Sequence, residues 1–151
     1  MKEMLKTISL FIVISAIVVI GCVYLKSNFL FDYLKDNLIS LLLTLLAINT
    51  ATLGLIASKI QDVISIHPNF NFSNTIEQMK RSLLEQVVLI ILTVLTLVMQ
   101  DSRIILFSHK TECSNLILTF VLIYSIDILY DTGNSVFVII EELQELNRKE
   151  K

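Results

Sequence analysis

The chain has 151 residues, 54% of them hydrophobic and 17% charged, with a net charge of −2 and a pI near 5.6. Soluble domains carry roughly 25% charged residues, so this composition argues against a water-soluble globule and for a helical membrane protein. The small acidic balance leaves no basic footprint for nucleic acid. Two cysteines, Cys22 and Cys113, and two histidines, His67 and His109, stand too far apart for zinc-ligand spacings, and no metal or other cofactor is expected.

The first apolar run is 7–25, with no charge between Lys6 and Lys26. Its helix would reach about 28 Å, close to the hydrocarbon thickness of a bilayer. Lys2 and Lys6 precede it like a signal n-region, and Val19-Ile20-Gly21-Cys22 resembles a lipobox, in which the cysteine is lipidated. Apolar character continues through Leu25 and three more runs follow, so an uncleaved anchor is the expectation. Residues 26–37 mix Asp32, Lys35 and Asp36 with Phe29, Phe31 and Tyr33, an interfacial composition.

The second run is 38–58. Ser40, Thr44, Ala47, Ala51, Gly54 and Ser58 recur every three or four residues and make one helix face of small side chains. Small residues let helix backbones approach closely in lipid. Packing within the chain is the first expectation for this face, and a second copy is the other. Asn49, on a neighbouring face, should find an interhelical partner. Helical spacing continues past Lys59 until Pro68, which the preceding residue must meet in a non-helical conformation. Asn74 with Glu77 three residues on resembles a capping box for a third helix.

The third run is 83–100, where Gln86, Thr93 and Gln100 form a polar stripe with a period of seven. From Asn74 onward this helix would measure about 40 Å, longer than a bilayer core. Residues 59–82 therefore read as a hairpin of helix extensions outside the membrane. Ser114 or Asn115 can cap the fourth run, 115–134. On it Phe120, Tyr124, Asp127, Asp131 and Asn134 share a face. Carboxylates at bilayer depth are costly and often mark ion or proton pathways. The structural alternative is a buried acid bonded to neighbouring helices through Asn49 or the glutamine–threonine stripe, or an acid hydrated at the headgroups. Gly133 is expected to kink or end the helix, and 136–147 reads as an amphipathic helix with Glu141, Glu142 and Glu145 opposite Leu143 and Leu146.

Four spans place both termini on one side. That side and the hairpin hold Lys2, Lys6, Lys59, Lys80, Arg81, Arg148, Lys149 and Lys151, against Lys26, Lys35, Arg103 and Lys110 opposite. The excess of positive charge predicts cytoplasmic termini in a bacterial inner membrane. Cys22 and Cys113 then both face the oxidising side, where a disulfide is open beside free or lipidated thiols.

The stretches LLTLLAINTATLGLIASKIQDV and TIEQMKRSLLEQVVLIILTVL, long helical extensions of a four-span chain, resemble the small membrane components of bacterial antiphage defence systems, the Kiwa membrane subunit among them. That resemblance implies a membrane-embedded oligomer with a cytoplasmic partner acting against phage, and it transfers no functional residue. Four-span small multidrug transporters carry an acid in the first span, and 7–25 has none.

No nucleophile elbow, phosphate loop or HExxH occurs, so the chain reads as non-enzymatic. The expected fold is an all-α integral membrane domain over 1–151: four transmembrane helices, the second and third extended into a cytoplasmic hairpin, and a C-terminal amphipathic helix. Four spans enclose little polar surface, so contact with lipid and with further copies is expected. Function is expected in membrane sensing, signalling or permeabilisation, with a channel or transporter built on Asp127 and Asp131, or a scaffold docking a cytoplasmic effector, as the alternatives.

Overall fold

A computed structural model describes residues 2–66, 72–103 and 109–149. Among them lie four helices: α1 (Lys2–Tyr24), α2 (Phe29–Ile66), α3 (Ser73–Asp101) and α4 (Lys110–Lys149). All four are long and apolar enough to cross a membrane. Their outer surface is correspondingly apolar, with Ile17, Ile20, Leu55, Leu84, Ile91 and Val98 exposed.

Helices α2, α3 and α4 pack on one another, and α1 lies against α4. The core is a leucine seam. Leu34, Leu38 and Leu42, one helical turn apart on α2, meet Leu89 of α3 and Leu118, Val121 and Ile128 of α4. A second cluster continues beyond it, where Leu53, Ile56 and Ile60 of α2 meet Met79 and Leu83 of α3 and Val136 of α4. At 38 residues α2 measures about 57 Å, far beyond the roughly 30 Å of hydrocarbon. Helical structure thus continues in α2 past Lys59, and α4 packs along both α2 and α3.

Element boundaries differ from expectation at four places. α2 begins at Phe29, not near Leu38. The turn before it is short because Ser27 N donates to Cys22 O (3.0 Å) and Lys26 N to Val23 O (3.1 Å), the bond pair of a Schellman motif. Lys26 takes the left-handed conformation this requires, at φ 52°. Asn28 then caps α2 by accepting from Asp32 N at 3.0 Å. Asp32, Lys35 and Asp36 sit on exposed helix surface while Phe31, Leu34 and Leu38 point inward, so the charges that suggest a loop are the outer face of a helix. α3 begins at Ser73 with Phe72 at its cap, which leaves Asn74 inside the first turn and no Asn74 capping box. α4 begins at Lys110, so Ser114 and Asn115 are helical, not caps. It also runs through Gly133 without a break, and the 136–147 helix is its continuation. The expected turn at His67 and Pro68, residues 104–108 and the side chains of Glu141, Glu142, Leu143, Glu145 and Leu146 lie outside what is described.

A lysine in the left-handed region carries a steric cost that glycine does not. Lys26→Gly is expected to stabilise the fold by up to about 1 kcal/mol, read as a raised unfolding midpoint in detergent micelles.

Candidate functional site

Most polar side chains in the bundle are satisfied by their own helix. The hydroxyls of Ser15, Thr93, Thr96, Thr119 and Thr132 each donate to the carbonyl four residues back, at 2.7 to 2.9 Å. Thr93 of the expected polar stripe thus reaches no other helix.

Asn49 is different. Fully buried, its Nδ2 donates to Gln86 Oε1 at 2.8 Å and to Ser82 Oγ at 3.1 Å. Ser82 Oγ is 3.2 Å from Thr132 Oγ1, and Thr132 donates to Ile128 O at 2.9 Å. A hydroxyl has one proton, so Ser82 must be the donor to Thr132. The relay Asn49 to Ser82 to Thr132 to the Ile128 carbonyl crosses α2, α3 and α4 in one direction. Asn49 Oδ1, Gln86 Nε2 and Gln100 Oε1 are buried and have no partner among the described residues. The interhelical partner expected for Asn49 is therefore found in Gln86 and Ser82, a pairing the sequence does not single out, and Gln100 does not join them.

On the adjoining face of α3, where Arg81 and Glu85 each precede Ser82 and Gln86 by one residue, lies a second polar cluster. Glu85 accepts from Arg81 Nε through Oε1 (2.8 Å) and from the Tyr124 hydroxyl through Oε2 (2.8 Å). Tyr124 is also held by rings on either side, with centroids of Phe11 and Phe120 each 5.8 Å away. One side chain thereby joins α1, α3 and α4. The same groups line a cavity of about 280 Å³ with Thr7 and Ile8 of α1, Gln78 and Ser82 of α3, and Asp127, Ile128 and Asp131 of α4. It forms because α1 packs on α4 while making at most marginal contact with α3. Asp127 is half-buried and Asp131 exposed, and neither carboxylate makes a hydrogen bond or ion pair among the described residues. The sequence suggests Asn49, Gln86, Thr93 and Gln100 as partners for this acidic face. The structure instead sets the face beside Arg81 and Glu85, which sequence reasoning missed. Their spacing, opposite charges four residues apart, is the signal that could have drawn attention to them.

The remaining sequence candidates stand apart. Ser40, Thr44, Ala47, Ala51, Gly54 and Ser58 are all exposed, and a Cβ added at Gly54 would meet nothing within 4 Å. No other helix of the chain covers this face. The reason is phase: the small-residue row is offset by two residues from Leu38 and Leu42, about 200° around the helix, and the larger side chains take the core. Cys22 is partly buried, Cys113 is exposed, and both thiols are free. No cluster of three or more metal-ligating side chains occurs among the described residues.

No family model, curated protein or solved structure matches the chain.

The Asn49–Gln86 bond is measurable as a coupling. A double-mutant cycle with Asn49→Ala and Gln86→Ala should give about 0.6 to 1.7 kcal/mol, the range of interhelical hydrogen bonds in membranes, in unfolding measurements on the purified protein.

Proposed function

We propose that this chain is a self-associating, multi-pass protein of a bacterial inner membrane, with both termini cytoplasmic, acting without catalysis in membrane sensing, signalling or permeabilisation as a component of antiviral defence. The observation that carries it is the uncovered small-residue face of α2, from Ser40 to Ser58. Between lipid-exposed helices the hydrophobic effect supplies no attraction, so close backbone approach through small side chains drives association. That face is available to a second copy because the chain's own core uses the opposite one. The excess of Lys and Arg at the end carrying the termini supports the orientation. The defence role rests on the likeness of the extended helices to small antiphage membrane subunits. The hairpin and the α4 extension supply the surface on which a cytoplasmic protein partner would dock.

Gly54→Leu tests the association directly. The added side chain has open space within one chain, so helicity and unfolding midpoint should be retained. Native mass spectrometry should show the wild type as an oligomer and Gly54→Leu shifted toward monomer by tenfold or more in dissociation constant. A wild type that stays monomeric, or a variant that associates equally well, rejects the reading.

A second reading, a cation channel or transporter, is favoured by the cavity that holds Asp127 and Asp131 without partners. Under it, Asp127→Asn combined with Asp131→Asn should abolish cation flux into proteoliposomes, whereas the first reading leaves any leak unchanged.

A further inference from the structure

The pairing of α1 with α4 has a defined register. Phe11 meets Tyr124, and Thr7 and Ile8 share a cavity wall with Asp127, Ile128 and Asp131. The two helices are therefore antiparallel, residue numbers rising on one as they fall on the other. Eleven residues beyond Phe11 stands Cys22, and eleven before Tyr124 stands Cys113. Eleven residues make about three turns, rise about 16 Å and return to within about 20° of the same face. Both thiols thus reach one level, each on the face that carries the aromatic contact.

The burial pattern carries the packed face of α1 to within one turn of Cys22. Phe11, Ser15 and Val19 are buried and Cys22 partly so, one inward stripe on a helix whose packing partner is α4. Val19 lies within one turn of Cys22. Cys113 is exposed in the first turn of α4 and so open to a reagent.

We propose that Cys22 and Cys113 form a closable dithiol, which a disulfide oxidant converts into an intrachain bond pinning α1 to α4. The Cys113 thiolate attacks the oxidant's S–S bond, forming a mixed disulfide and releasing one thiolate. The Cys22 thiolate then attacks the Cys113 sulfur, forming the new bond and expelling the oxidant's second sulfur. The two thiols give up two protons and two electrons, and the oxidant leaves as two thiols. α1 is the helix with the fewest neighbours, so it has the most to gain from the staple. That the reaction occurs in the cell rests on the proposed topology, which turns these helix ends toward the oxidising side.

The test treats the full-length protein, purified in detergent, with oxidised glutathione, a disulfide oxidant, and counts reactive thiols by maleimide tagging and intact mass. The wild type should lose both tagging sites, run as a monomer on a denaturing gel without reductant, and weigh about 2 Da less, regaining both sites on reduction. Cys22→Ser should stop at the mixed disulfide, gaining the mass of one glutathionyl group. Two reactive thiols after the oxidant, glutathionyl groups on both cysteines of the wild type, or a bond between chains in place of the intrachain one, would overturn the pairing. Closure in detergent with two free thiols in freshly isolated membranes supports the pairing and counts against the sidedness.

Discussion

The bundle is organised around concealment of the Asn49 carboxamide. A membrane interior offers no water, and an amide left unpaired there costs several kcal/mol. Asn49 has no exposed surface and draws its partners from α3, and through Ser82 from α4. Pairing its Nδ2 ties the rotation of three helices together, while its Oδ1 stays buried without a partner among the described residues. With Asn49 turned inward, Leu38, Leu42, Leu53 and Ile56 are turned inward too, because they share its stripe. The row from Ser40 to Ser58 is turned out by the same rotation. An inner seam of large side chains and an outer seam of small ones are thus two consequences of a single phase.

The other polar groups divide by depth. Hydroxyls inside the bundle close onto their own backbone and link nothing. Groups near the end that carries the termini reach across helices, with Glu85 bridging Arg81 and Tyr124. In a membrane, charge is held at least cost near headgroups and water. The cavity there exists because α1 is a flank and not part of the three-helix core. α1 is therefore the element whose attachment most needs reinforcement, and the aligned thiols lie at the opposite end of the same helix pair.

Much of this was legible in the sequence. Four apolar runs located four helices, helical spacing past Lys59 announced the length of α2, and Asn49 announced a polar partner. The misreadings share a cause. Asp32, Lys35 and Asp36 look like a connector in composition, yet at helical spacing they occupy one outer face while Phe31 and Leu34 occupy the inner one. Gly133 looks like a breaker, yet neighbouring turns carry α4 through it. Asn74 has the right chemistry for a cap and sits one residue inside the helix. Glu85 was passed over because its importance depends on which helix faces it. Local composition records what a residue can do, and the rotational phase of each helix decides whether it does so.

That phase is most directly measured by cysteine crosslinking along α2 in native membranes, on a background with Cys22 and Cys113 replaced by serine. Single cysteines at Ala47, Ala51 and Gly54 should yield dimers between chains, and cysteines at Leu42, Leu53 and Ile56 should not. Dimers formed through Leu42 or Leu53 instead, with none through Ala51, would contradict both the inner seam and the outer one.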